Sequence, residues 1–97
     1  MMSAQDAVIA TNPQAVFCQV AGEAVILDVA SGRYFALDAV GTAIWQSLST
    51  PRTLTAVCDA IQAEYDVSRD RCEADVSAFL EQLAAQGLIK FEERAAG

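Results

Sequence analysis

Few side chains in this 97-residue sequence could carry covalent or metal chemistry. It contains three cysteines, Cys18, Cys58 and Cys72, and no histidine. Without histidine there is no Ser-His or Cys-His dyad and no imidazole metal ligand. The cysteines are odd in number and form no Cys-x-x-Cys motif, so neither a zinc knuckle nor a disulfide framework is predicted. We expect three buried or half-buried thiols in a reducing compartment.

Cys72 is the cysteine with the best surroundings for a nucleophile, since Arg69 and Arg71 lie beside it in the sequence. Positive charge lowers the pKa of a thiol and so raises its reactivity. The same residue, however, falls on the apolar stripe of a predicted helix, with Val76 and Phe79 at the following positions of that stripe. Core packing is therefore the favoured interpretation, and no catalytic cysteine is predicted.

An acidic run spans the end of a loop and the start of the same helix. Its members are Asp66, Asp70, Glu73 and Asp75. Their spacing does not match the glycine-containing calcium loop, and the sequence holds neither GxGxxG nor GxxxxGK for a nucleotide phosphate. Acids in the first turn are favoured by the helix dipole. We predict a solvated helix start, with no catalytic residue, no metal and no cofactor.

The composition is that of one small acidic domain. A chain of this length buries roughly 60–65% of its unfolded surface, and 54% hydrophobic against 20% charged residues is not the composition of a disordered chain. A net charge of −7 disfavours nucleic acid. The apolar runs are shorter than the roughly 20 residues of a membrane span, and the N-terminus lacks the basic region of a signal peptide. We expect a cytoplasmic protein without membrane association.

Three short strands are predicted at the beginning of the chain. Residues 16–20 are apolar and β-prone, residues 23–29 alternate between two faces, and residues 33–37 are aromatic and β-prone. Short glycine-containing turns separate them, so the three strands form an antiparallel sheet in sequential order. Residues 1–15 lack periodicity and are predicted to be a flexible arm.

The hydrophobic period changes to that of helices after residue 38. Three helices are predicted, and their N-caps are Asp38, Thr53 and Ser68. Gly87 ends the third helix, residues 88–91 form a short strand, and residues 92–97 form a flexible tail.

These elements define an α+β fold: a three-stranded antiparallel sheet, three helices and a short C-terminal strand. The second and third helices form a helix-turn-helix corner, and residues 88–91 resemble a wing. A DNA-binding winged helix is one alternative. The third helix carries two arginines but more acids, and a negative helix on a negative domain repels a duplex.

The third predicted strand is the candidate open edge of the sheet. Its residues are Arg33, Tyr34, Phe35, Ala36 and Leu37. It contains no proline and only one charge, so it lacks the usual protection against pairing. Such an edge is either covered by the chain itself, paired with a second copy, or kept open for a peptide that adds as a strand. We favour the added peptide and predict that the strand backbone binds it.

Several spaced motifs between residues 16 and 91 resemble those of the PqqD-like proteins. They are residues 22–28, 31–45, 53–54, 64–67, 75–83 and 87–89. The resemblance departs at Asp38, where the family often has asparagine. Both residue types cap helices.

The resemblance implies a winged helix-turn-helix that binds peptide rather than DNA, with residues 16–91 as the peptide-recognition domain. Such proteins are non-catalytic and bind the leader segment of a ribosomally made precursor peptide. By resemblance, the leader adds as a strand to residues 33–37 and lies beside the third helix. The matched helix residues are Asp75, Val76, Phe79, Leu80 and Leu83. Arg71 lies near Asp75 on one shoulder of the helix and joins the predicted site.

The implied partner is a separate maturation enzyme to which the leader is presented. The short chain and the Gly-Arg-Tyr-Phe and Asp-x-x-Gly-x-x-Ile-Trp stretches are more similar to lasso-peptide proteins, whose partner is a leader peptidase. The alternative is the type that serves a radical SAM enzyme in quinone-cofactor synthesis.

Overall fold

A computed structural model describes residues 7–92, which form two small sheets and three helices. In chain order the elements are β1 (Val8–Thr11), β2 (Ala15–Val20), β3 (Glu23–Asp28), β4 (Arg33–Leu37), α1 (Ala39–Ser47), β5 (Arg52–Thr53), α2 (Leu54–Glu64), α3 (Arg69–Ala85) and β6 (Ile89–Glu92). The α+β fold is confirmed. The sheet, the three helices and the C-terminal strand follow one another as predicted.

The first sheet has the order β2-β3-β4, and both pairs are antiparallel, as expected. Ile26 lies at its centre, opposite Phe17 on one side and Phe35 on the other, so these three side chains share one face. Ile26 is fully buried and Phe17 and Phe35 pack against the hydrophobic core. This face therefore covers the helices, and β4 forms one border of the sheet.

Side-chain caps begin all three helices where the sequence predicts them. The carboxylate of Asp38 accepts a hydrogen bond from the backbone amide of Gly41 at 2.7 Å. In the same way, the hydroxyls of Thr53 and Ser68 accept hydrogen bonds from backbone amides at the starts of α2 and α3. Each cap satisfies an amide that has no partner inside its helix.

The core lies where the three helices meet the inner face of the first sheet. Its fully buried members include residues from α2, from α3 and from the cap that ends α1, and they are Leu48, Val57, Cys58, Cys72, Val76, Leu80 and Leu83. The apolar stripes of the helices, which the helical spacing predicted, therefore face one another.

The prediction of a flexible arm over residues 1–15 is wrong for residues 8–15. Val8–Thr11 form β1, the middle strand of a second sheet with the order β5-β1-β6, and Ala15 begins β2. Sequence periodicity missed β1 because its four residues are too few to show a period, and because its partner β6 lies about eighty positions away. Residues 1–6 of the predicted arm and 93–97 of the predicted tail lie outside the described residues.

Replacement of Ile9 tests whether β1 is part of the folded domain. Ile9 is fully buried in the core, so we expect Ile9→Ala to lower the free energy of unfolding by about 2–5 kcal/mol in urea titration. The matched control is Val16→Ala, because Val16 is 45% exposed. That control should change stability by less than about 1 kcal/mol. Equal, small effects of both substitutions would show that β1 is not packed as described.

Candidate functional site

Among residues 7–92, strand β4 is hydrogen-bonded to a neighbouring strand along one side only. It pairs with β3 and borders no other strand among residues 7–92. Arg33, Tyr34 and Ala36 are exposed, and Tyr34 is 68% accessible. In an antiparallel ladder, alternate backbone groups point away from the paired side. These outward groups of β4 are available to a further strand.

β2 is the other border of the same sheet, so an open edge alone does not single out β4. The two border strands differ in the elements that lie next to them. Phe35 of β4 meets Phe79 of α3 in an edge-to-face contact, with ring centroids 6.1 Å apart and planes at 67°. We call the surface between β4 and α3 that this ring pair bridges the β4–α3 trench.

Two cavities flank the ring pair along the trench. The small cavity, about 130 Å³, lies at the start of β4 and the end of α3, and Arg33 and Gln86 both line it. The large cavity, about 370 Å³, lies beyond the end of β4 and at the start of α3, where Asp38 and Asp75 line it. Strand and helix therefore run in opposite directions along the trench.

The large cavity is built from all three helices and the segments that flank them. Its walls are mainly apolar, and the lining residues are Asp38, Val40, Gly41, Ile44, Ile61, Tyr65, Val67, Cys72, Asp75, Val76 and Phe79. Cavities of roughly 300–1,000 Å³ with apolar walls and a few polar groups are the usual form of ligand sites. An apolar side chain of a bound peptide fits this description.

Gly41 lets α1 approach α3 at the wall of this cavity. A Cβ atom on Gly41 would lie 3.1 Å from Cζ of Phe79 and 3.1 Å from a carboxylate oxygen of Asp38. Those distances are shorter than ordinary van der Waals contact, so any side chain at this position would displace the Phe79 ring or the capping carboxylate. Glycine here fixes how closely α1, β4 and α3 meet.

The arginines of α3 are engaged with carboxylates. Arg69 donates to Asp59 at 2.7 Å and to Glu73 at 3.0 Å, which ties α2 to α3. Arg71 donates to Asp75 at 3.2 Å. Both cations that a DNA-reading helix would offer to phosphates are thus paired, which adds to the unfavourable charge of the domain.

The structure brings part of the predicted site together. Arg33–Leu37 form the edge strand, and Phe79 and Asp75 line the trench. Val76 is 2% exposed yet contributes to the wall of the large cavity. Arg71 is exposed and donates a hydrogen bond to Asp75, which lines the large cavity.

Leu80 and Leu83 lie in the core at 1% and 0% exposure and line neither cavity of the trench. Sequence analysis did not single out the wall residues outside α3, such as Val40, Tyr65 and Val67. The one local signal for that wall was the Asp-x-x-Gly spacing that places Gly41 three residues after the cap.

The cysteines are placed as packing residues. Cys58 and Cys72 are buried where α2 meets α3, and Cys18 is half-buried. Burial, together with the neighbouring Cys72, raises the pKa of Cys58 to about 12. A thiol with so high a pKa is protonated at neutral pH and is a poor nucleophile.

Within the described part of the chain, no three cysteine or acidic residues are grouped as metal ligands. No helix of residues 7–92 is long and apolar enough to cross a membrane.

Comparisons with known proteins give one matching family model and two similar solved structures. The family model for PqqD, coenzyme PQQ synthesis protein D, matches residues 23–89. A solved structure described as TbiB1 in complex with the TbiA(beta) leader peptide is 37% identical, with a TM-score of 0.74 over 84% of this chain and 94% of that chain. A second, described as lasso peptide synthetase B1 complexed with the leader peptide, is 27% identical, with a TM-score of 0.73 over 84% and 96%. No curated protein matches.

The coupling between the two trench rings is measurable by a double-mutant cycle. We expect Phe35→Leu and Phe79→Leu to be less destabilising together than the sum of the two single effects. The difference should be about 0.5–1.5 kcal/mol, the typical energy of an edge-to-face aromatic pair beyond its buried area. Urea unfolding of the four proteins measures it, and strict additivity would contradict the contact.

The thiol of Cys58 gives a test based on pH. In the unfolded chain the thiol of Cys58 ionises near its ordinary pKa, whereas in the folded protein its pKa is about 12. The contribution to stability is present below the ordinary value and is lost as pH rises from there toward 12. We therefore expect the free energy of unfolding to fall above about pH 9. The decline should be smaller in Cys58→Ala than in the wild type, and equal declines would contradict the assignment.

Proposed function

Because the chain belongs to the PqqD family, we propose that it is a non-catalytic peptide chaperone that binds the leader segment of a ribosomally made precursor peptide. The observation that carries the proposal is the open edge of β4 beside a trench with an apolar cavity. The two solved structures reported above are described as complexes with a leader peptide. The burial of Cys58 and Cys72, and the raised pKa of Cys58, favour a binding role over a catalytic one.

The proposed mode of binding is strand addition to residues 33–37. A disordered peptide loses about 1–2 kcal/mol of backbone entropy for each residue that it orders. Each main-chain hydrogen bond contributes about 0.5–1.5 kcal/mol net, so backbone pairing does little more than offset that loss. The affinity must therefore come from side chains that enter the trench, and burial of one large apolar side chain contributes about 1.5–3 kcal/mol.

The predicted site residues have distinct roles in this mode. The backbone of Arg33–Leu37 pairs with the peptide and holds its register. Phe79 and Val76 form apolar contacts at the trench and the large cavity. Asp75, held by Arg71, supplies a polar contact at the rim. Leu80 and Leu83 act indirectly, since they are buried beneath this face and support α3.

The proposed consequence of binding is recruitment. A maturation enzyme that associates with the loaded chaperone meets the precursor at a high effective concentration. A separate leader peptidase of a lasso-peptide pathway is the favoured partner, because one similar structure is described as lasso peptide synthetase B1. A radical SAM enzyme is the alternative partner, because the matching family model is named for coenzyme PQQ synthesis.

Titration with leader peptides encoded beside this gene tests the proposal. We expect the amide signals of residues 33–37 and of α3 to shift in NMR spectra, with micromolar to submicromolar affinity, about −8 to −9 kcal/mol. Hydrogen exchange gives a finer test. Alternate amides of β4 should exchange rapidly in the free protein and become protected when peptide is bound.

The second border of the sheet serves as the internal control. Amides of β2 (Ala15–Val20) should keep the same exchange rates with and without peptide. A proline substitution compares the two borders directly. Ala36→Pro should weaken peptide binding if the amide of Ala36 faces the guest, whereas Gln19→Pro in β2 should not. Strand addition here would be overturned if peptide protected the amides of β2 instead of those of β4. It would also be overturned if Ala36→Pro impaired only folding and the peptide had no effect on the amides of β4.

A further inference from the structure

The charges along the trench are distributed unevenly. The small cavity contains one acid and one base in its lining, Asp28 and Arg33. The large cavity at the other end contains two acids, Asp38 and Asp75, and no lysine or arginine among its described lining residues. One end of the candidate site therefore carries charges of both signs, and the other end is acidic.

A further depression makes this acidic end wider. It lies across Asp38 from the large cavity, and the two share Asp38 and Tyr65. Glu23 and Glu64 line it as well, again with no lysine or arginine in the described lining. Peptide residues that continue past the end of β4 thus meet carboxylates from the start of β3, from the α1 cap, from α2 and from α3.

These carboxylates are partly compensated but not all to the same degree. Arg71 donates to one oxygen of Asp75, and Gly41 donates to one oxygen of Asp38. Asp38 also lies at the positive end of the α1 dipole. Glu23 and Glu64 lie on the open depression, where a guest cation can approach them.

The direction of a bound peptide strand follows from the pairing in the sheets. All strand pairs of the described structure are antiparallel, and antiparallel pairing is slightly more stable per residue. A guest strand that runs antiparallel to β4 would bring its N-terminal side to the acidic end. Its C-terminal side would pass the small cavity with Arg33.

Building on the proposed function, we infer that the recognised peptide carries its positive charge at one end of the bound segment. Just N-terminal to its added strand, it carries a lysine or arginine next to an apolar side chain. The apolar side chain enters the large cavity, and the cation lies against Asp38 and Asp75 at its rim. The binding site thereby selects both the class of peptide and its orientation.

Selection from a display library of random 14-residue peptides on the full chain tests the inference. We expect lysine or arginine to be enriched at one or two positions before the β-prone segment of the selected peptides. The same selection on the Asp38→Asn, Asp75→Asn double variant should lose this enrichment. Asparagine preserves the α1 cap, so the double variant should fold.

The matched control is the Glu81→Gln, Glu92→Gln double variant. It removes the same number of negative charges from exposed residues that line neither the trench cavities nor the depression. Replacement of the enriched lysine of a selected peptide by glutamine should weaken binding to the wild type and to this control by about two- to five-fold. It should change binding to the Asp38, Asp75 double variant by less than about 1.5-fold.

The outcomes separate this inference from the proposed function. If selected peptides shift the β4 amides but show no cation at a fixed N-terminal position, the charge inference fails and strand addition stands. A cation on the C-terminal side overturns the orientation and with it the inference. If no selected peptide shifts the β4 amides, both proposals fail.

Discussion

The contact between Phe35 and Phe79 is the interaction on which the candidate site depends. It joins the edge strand to the third helix, and it stands between the two cavities of the trench. The ring of Phe79 can occupy its position because Gly41 has no side chain to meet it. The ring pair, together with the absence of a side chain at Gly41, therefore sets how closely β4 and α3 approach each other beside the proposed peptide site.

A helix-turn-helix corner can serve very different partners, and local charge decides between them. Here α3 commits its two arginines to carboxylates of the same domain, and the residues that line the large cavity add no positive charge among those described. The helix therefore presents an apolar and acidic side to the trench. That side disfavours a polyanion, whereas the open backbone of β4 offers hydrogen bonds to an extended chain.

Local sequence signals were enough to predict the three strands of the first sheet and the three helices, because hairpin turns, caps and helical spacing act over a few residues. They could not predict β1, since Val8–Thr11 become a strand only through pairing with distant β5 and β6. The same limit applies to the site. The edge strand and Phe79 were predicted, but the wall formed by Val40, Tyr65 and Val67 exists only once three helices have packed together.

The second sheet has a consequence for how this domain can be joined to others. Val8 pairs with Glu92, so the polypeptide enters and leaves the folded domain through neighbouring strands. A polypeptide fused before Val8 and one fused after Glu92 would be tethered at nearly the same point of the surface. Gene fusion at either terminus would then hold an attached protein at a similar reach from the trench. Domain order in such a fusion could be exchanged with little change in geometry.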